Sequence, residues 1–329
     1  MKPEPETIVV TGAAGFIGSH LCERLLARGD RVIGIDNFDP FYARELKLRN
    51  LEPSRAQARF RFVEADCAEP DQMAAVFTEP VSAIVHLAAK AGVRPSIADP
   101  MGYTRANIVA TQVMLECARQ HDIARFIFGS SSSVYGNNEK VPFSEDDPVD
   151  RPISPYAATK RACELVSHSY HHLFGIGVLS LRFFTVYGPR QRPDLAIRKF
   201  SELMLRAQEI PFFGAGTSER DYTWIDDIIQ GVVAAIDRSR AVPGEFEIIN
   251  LGESRTTSLG KLVDLIAAAL HVEPKLRRLP MQPGDVNRTF ADVSKARQLL
   301  DYQPATPVEI GIPRFVEWLK TELSATSSR

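Results

Sequence analysis

The chain opens on an alternation of short apolar runs and amphipathic stretches. Ile8-Val9-Val10 leads into a helical pattern over 15–28, and an apolar run follows at 31–35. Further runs lie at 60–63, 83–87, 125–128 and 178–181, with helical patterns over 101–121 and 156–174. The runs are short, nearly continuous and rich in Val, Ile and Phe, which is how strands buried on both faces read. Such strands alternating with helices predict a parallel sheet covered on both sides. Right-handed crossovers would wind it as a doubly wound α/β fold.

After Arg182 the rhythm changes. Gly, Pro and Arg crowd residues 185–194, and helical patterns over 196–207, 225–236 and 259–270 are separated by shorter runs such as Phe246-Glu247-Ile248-Ile249. Pro211, Gly214-Ala215-Gly216, Pro243-Gly244 and Pro283-Gly284 punctuate the junctions. The expected organisation is a sheet domain of residues 1–183 and 224–252, and a smaller mixed α/β domain of residues 184–223 and 253–329. No internal repeat is present, which excludes a solenoid.

Composition narrows the classes of function. The 329 residues carry 39 Lys+Arg against 41 Asp+Glu, a net charge of -2, and 44% are hydrophobic. That balance excludes a disordered chain and lacks the basic excess of a nucleic-acid binder. No run approaches the roughly 20 apolar residues of a membrane span. The first six residues hold acids and prolines where a signal peptide needs apolar residues. Cys22, Cys67, Cys117 and Cys163 are far apart and form no CxxC pair. They read as buried thiols of a cytoplasmic protein, without a disulfide framework or zinc site. His168 and His172 stand four apart but lack the glutamate of an HExxH motif, so no metal is expected. Glu145-Asp146-Asp147 reads as a solvated loop, Glu116 with Arg119 as a surface pair, and Trp224 as packing.

The candidate chemistry lies at strand ends. Thr11-Gly12-Ala13-Ala14-Gly15-Phe16-Ile17-Gly18 joins the first strand to the first helix. Glycines there allow a sharp turn and a close approach of backbone to a pyrophosphate, which the helix N-terminus would face. The second strand ends in Asp36, an acceptor for ribose hydroxyls that would repel a 2′-phosphate. NAD is therefore expected over NADP. At the end of the fifth strand stand Ser130-Ser131-Ser132-Ser133, and Tyr156 and Lys160 lie four apart, on one face of a helix. A neighbouring ammonium and a nicotinamide cation would both favour the phenolate of Tyr156 and bring it toward the range of a general base.

These motifs resemble the extended short-chain dehydrogenase/reductase family over nearly the whole chain. The resemblance rests on the glycine loop, Asp66, Leu87-Ala88-Ala89, Asn107, Ser131, Tyr156 with Lys160, Arg182-Phe183-Phe184 and Arg220-Asp221-Tyr222. It implies a Rossmann sheet, a bound NAD and a nucleotide-sugar substrate. By resemblance, Ser131, Tyr156 and Lys160 are catalytic. Gly12, Gly15, Phe16, Ile17, Gly18, Asp36, Asn37, Asp66, Cys67, Leu87, Ala88, Ala89, Asn107 and Phe183 would line the cofactor together with Tyr156 and Lys160. Arg220 would pair with the diphosphate of the substrate, and Phe213 would line its base. The helices over 101–121 and 156–174 would form the interface of a homodimer.

Residues after the first catalytic hydroxyl separate reactions within the family. The 4,6-dehydratases carry Asp-Glu there, and the decarboxylases a nearby Glu, whereas this chain has Ser132-Ser133. That favours reversible oxidation at C4, an epimerisation. Residues 184–197, 36–42 and 281–286 resemble the UDP-glucuronate 4-epimerases. The hydroxyls of Ser131, Ser132, Ser133 and Thr185 with a nearby arginine, Arg192 or Arg94, suit a carboxylate, and Gln282 and Asp285 lie in the stretch expected to hold the UDP-sugar. A diphosphate role for Arg192, a UDP-glucose or UDP-N-acetylhexosamine 4-epimerase, a UDP-glucuronate decarboxylase and a non-catalytic NAD sensor stay open as alternatives.

Overall fold

The computed structural model describes residues 4–280 and 288–327. Its strands are β1 (Thr7–Thr11), β2 (Arg31–Asp36), β3 (Phe60–Glu64), β4 (Ala83–His86), β5 (Arg125–Ser131), β6 (Gly177–Phe183), β7 (Thr185–Tyr187), β8 (Ile210–Phe213), β9 (Glu219–Arg220), β10 (Tyr222–Trp224), β11 (Phe246–Leu251), β12 (Thr257–Ser258) and β13 (Leu276–Leu279). Seven of them form one sheet in the order β11-β6-β5-β4-β1-β2-β3, every pair parallel. The chain reverses direction across the sheet between β1 and β4. In an open parallel sheet the crevice beyond the carboxyl ends of such strands receives ligands.

The helices are α1 (Phe16–Arg28), α2 (Arg44–Arg55), α3 (Pro70–Ala74), α4 (Val93–Ala98), α5 (Pro100–Tyr103), α6 (Ala110–Gln120), α7 (Pro155–Phe174), α8 (Ala196–Leu205), α9 (Ile225–Ala241), α10 (Leu259–Leu270), α11 (Ser294–Leu300) and α12 (Val308–Ser327). Two buried clusters, one on each face of the sheet, make the core. Ile8, Val10, Val85, Ile127 and Leu181 belong to one, and Val9, Ile33, Ile84, Phe126 and Val178 to the other. Alternate residues of the same strands thus enter opposite cores, as a sheet covered on both faces requires. Among the described residues no helix is long and apolar enough to cross a membrane.

The expected helix over 101–121 is interrupted. A π-turn at Thr104–Val109 separates α5 from α6 and buries Asn107. α12 had no counterpart in the sequence reading, although Ile312, Phe315, Val316 and Leu319 are buried at helical spacing. α2 was also missed; its buried positions are Lys47, Asn50, Leu51 and Ser54, a face with one apolar residue. Asp147 corrects the expectation of a solvated acidic loop. It is buried, accepts from Asn138 Nδ2 (2.8 Å) and the Ser144 amide (3.0 Å), and pairs with Lys140. Glu145 accepts from the Asn250 amide at 2.7 Å. Trp224 is packed in the core and the Glu116–Arg119 pair lies at the surface, both as expected. All four cysteines are buried free thiols.

Candidate active site

A cavity of about 600 Å³ opens along the carboxyl ends of the strands. At one end lies the β1–α1 turn. Gly12 adopts φ +69°, and a side chain at Gly18 would collide with the Gly12 carbonyl oxygen. Gly12 and Gly18 are therefore closed to a larger residue. α1 starts at Gly15 with no side-chain cap and no acid in its first turn, leaving its positive end for an anion. Thr11 fixes the opposite wall: its hydroxyl oxygen accepts from the amides of Leu87 (3.1 Å) and Ala88 (3.0 Å). The hydroxyl proton then goes to His86 Nδ1 at 2.8 Å. His86 is held neutral, its pKa pushed down to about 3 by burial and by the charge of Lys160.

Asp36 sits at the end of β2. One carboxylate oxygen accepts from the Ala14 amide (3.1 Å) and the other from the Phe38 amide (2.9 Å), with Lys47 Nζ at 4.0 Å. Each oxygen keeps acceptor capacity for a further donor. Burial raises the Asp36 carboxyl, against the pull of Lys47. Asp66 is bridged by Arg105 at 2.8 Å, and Arg105 also reaches Glu69.

The other end carries the reactive groups. Ser154 caps α7 by accepting from the Ala157 amide, and Tyr156 and Lys160 share its buried face. Lys160 donates to the Gly129 carbonyl at 2.7 Å and lies 5.0 Å from the centre of the Phe128 ring. Burial lowers its pKa to about 8. The Tyr156 phenol is pushed above its usual value by burial, opposed by a hydrogen bond with Ser131 and by the charge of Arg192. The Ser133 amide donates to Ser131 Oγ at 3.2 Å. Beneath this wall, the buried pair Arg182–Glu164 is bidentate at 2.9 and 3.0 Å, and Glu164 also accepts from Ser130 Oγ at 2.7 Å.

Of the residues expected around the cofactor, all but Asn107 line this one cavity. Asn107 is buried behind it: its amide group bonds the Lys90 amide (2.8 Å), the Lys90 carbonyl (3.1 Å) and Thr159 Oγ1 (2.9 Å). It shapes the wall and does not form it. Ser131, Ser132, Ser133, Thr185 and Arg192 line the cavity too. Arg94, Phe213 and Arg220 do not. Arg94 lies over the Phe213 ring at 4.9 Å, and Arg220 donates to the Glu219 carbonyl at 2.9 Å. Gln282 and Asp285 lie outside the described residues. Sequence reasoning passed over Lys90, Tyr42 and Asp39, which line the cavity, and over Asp194, which pairs with Arg192. Tyr42 and Asp39 fall in the stretch 36–42, so that resemblance was the available signal.

This constellation recurs in known proteins. The family model described as GDP-mannose 4,6 dehydratase matches residues 9–315. The chain belongs to that family. Like other members of the GDP-mannose 4,6 dehydratase family it is an extended short-chain dehydrogenase/reductase. Among its relatives, the UDP-glucuronate 4-epimerase of Thermodesulfobacterium geofontis is 38% identical over 97% of this chain and 98% of its own length. A UDP-glucuronic acid 4-epimerase from Bacillus cereus, solved in complex with UDP-glucuronic acid and NAD, superposes with a TM-score of 0.89 at 37% identity. That match covers 96% of this chain and 99% of the other. A UDP-glucose 4-epimerase from Thermotoga maritima, solved with UDP-glucose, gives a TM-score of 0.87 at 31% identity, with 96% and 99% coverage.

Proposed function

We propose that the chain is an NAD-dependent UDP-glucuronate 4-epimerase, interconverting UDP-glucuronate and UDP-galacturonate through a 4-keto intermediate. The observation that carries this reading is the gathering of Tyr156, Ser131, Ser132, Ser133, Thr185 and Arg192 on one cavity, with no acid following Ser131. The family model takes its description from dehydratases, but elimination of water needs an acid and a base beside the oxidised sugar. Hydroxyls and a guanidinium suit a carboxylate substrate instead.

The residues present fit NAD. Gly12 and Gly15 present bare backbone to the cavity, the uncapped start of α1 suits a pyrophosphate, and Asp36 keeps acceptor capacity for ribose hydroxyls. Bound NAD supplies removal and return of a hydride at C4 of the sugar. Tyr156 takes the proton of the 4′-hydroxyl and later gives it back, with Ser131 holding the same oxygen. Lys160, anchored on Gly129, holds the ribose next to the nicotinamide. The sugar turns over between the two transfers and presents its other face.

Oxidation at C4 makes a β-keto acid, which loses CO₂ when its C5–C6 bond aligns with the carbonyl π system. Arg192 and the hydroxyls of Ser132, Ser133 and Thr185 hold the carboxylate out of that alignment. The cofactor belongs to residues 1–183 and 224–252, and the nucleotide sugar mainly to residues 184–223 and 253–329; Arg220 is the candidate for its diphosphate but does not line the cavity. Exposed Ile97, Met101, Leu165, Leu173 and Phe174 around α4–α7 support a homodimer through that face. The four free thiols support a reducing cytoplasm.

Purified protein with UDP-glucuronate should yield UDP-galacturonate by product NMR. Turnover of UDP-glucose with no galacturonate product would overturn the substrate assignment, and release of CO₂ as the main reaction would make the enzyme a lyase.

A further inference from the structure

Arg192 offers five N–H groups, and the protein uses three of them. Nε donates to one Asp194 oxygen at 2.9 Å and Nη2 to the other at 2.8 Å, while Nη2 also donates to the Ala91 carbonyl at 3.0 Å. The Phe41 ring lies 5.0 Å from the guanidinium carbon. Both Nη1 hydrogens have no protein acceptor among the described residues, and Arg192 lines the cavity within electrostatic reach of Tyr156. A guanidinium on a flexible stem is seldom fixed by one contact. Here a bidentate carboxylate, a carbonyl and an aromatic ring leave one nitrogen for the ligand.

We infer that Asp194 is a positioning residue: it fixes the plane of Arg192 so that Nη1 meets the uronate carboxylate, and so sets how often the 4-keto intermediate epimerises instead of losing CO₂. The inference rests on the epimerase reading above. In the competing loss, the C5–C6 bond breaks and its electron pair passes to the C4 carbonyl as an enolate. C5 then takes a proton from water. The two electrons taken from C4 stay on the reduced cofactor, so each decarboxylation without return leaves one reduced nicotinamide. Asp194 touches neither sugar nor cofactor in this account, and its whole effect passes through Arg192.

The test compares wild-type holoenzyme with Asp194→Asn and Asp194→Glu on UDP-glucuronate. Epimer and 4-keto pentose are followed by NMR, reduced nicotinamide by absorbance, and UDP-glucuronate and UDP-glucose affinities by calorimetry. Asp194→Asn is expected to weaken UDP-glucuronate binding and raise the ratio of CO₂ loss to epimerisation, each by roughly tenfold. UDP-glucose affinity should stay at the wild-type value, and Asp194→Glu should restore most of the partition. A wild-type partition in Asp194→Asn, or equal weakening toward both sugars, overturns the inference while leaving the epimerase reading intact. Wild-type protein that neither binds nor converts UDP-glucuronate overturns both.

Discussion

The Lys160 ammonium donates to the Gly129 carbonyl at 2.7 Å, while Tyr156, four residues earlier on the same buried face of α7, has its phenol raised by burial and drawn back by Ser131 and then by the charge of Arg192. The two members of this pair thus meet different partners in the structure. Lys160 is tied to the end of β5, and Tyr156 is influenced from the side of the cavity that carries Ser131 and Arg192.

That division predicts a pH profile. Burial holds Tyr156 above its usual range, and Ser131 opposes it by favouring the phenolate. Losing a bond to the charged form raises the pKa. Ser131→Ala should therefore move the rising limb of kcat/KM to higher pH. Tyr156→Phe should lower kcat by about 10²–10⁴ at all pH while NAD stays bound. A Ser131→Ala profile superimposable on wild type would show that the hydroxyl does not tune the phenol.

Arg192 carries two effects that separate experimentally. Its charge lowers the Tyr156 phenol, so Arg192→Met should displace the same limb upward. In the proposed reading its guanidinium also holds the uronate, and Arg192→Met should then weaken UDP-glucuronate by roughly tenfold or more. Turnover of UDP-glucuronate by Arg192→Ala close to wild type would remove the residue from the carboxylate site.

The parts legible in the sequence were local. The glycine turn, the strand ends and the Tyr156–Lys160 spacing each lie within one element or one junction, where periodicity and chirality decide the outcome. What escaped was long-range pairing. Asn107 lies in the cofactor stretch by sequence, yet the π-turn buries it and its side chain spends its bonds on Lys90 and Thr159. Asp147 sits in an acidic run but is drawn inward by Asn138 and Lys140. Ala91 and Arg192 are 101 residues apart, and no pattern in either segment announces their bond.

The Arg182–Glu164 pair beneath the serine run predicts a stability effect. Both side chains are buried, at 1% and 0% exposure, and Glu164 also pairs with Arg161 at 3.0 Å, so removing Glu164 strands the buried Arg182 guanidinium. Glu164→Gln should cost about 3–5 kcal/mol in urea unfolding. The double variant Glu164→Gln with Arg182→Met should cost less than the sum of the two singles, because the buried Arg182 charge is removed together with its partner. Additive losses would mean that the pair is not coupled.

Glu253 gives the opposite sign. Burial, then Asp227 and Asp221, push its carboxyl up to about 7; Glu309 adds to this and Arg255 opposes it. Its Oε2 is buried without a hydrogen-bond partner among the described residues, while its backbone amide donates to Asp221 at 2.8 Å. An unfolded chain would ionise this group near its usual 4.5, so between about 4.5 and 7 the folded state holds the proton that the unfolded state has lost. Stability from this group is therefore complete at low pH and falls as pH rises through that window. Glu253→Gln keeps the backbone bond and removes the charge. The variant should melt about 2–4 °C higher than wild type at pH 8, with the gain shrinking toward zero by pH 4.5. A gain of equal size at both pH values would assign it to packing, and a loss at pH 8 would mean that the Glu253 carboxylate is stabilising.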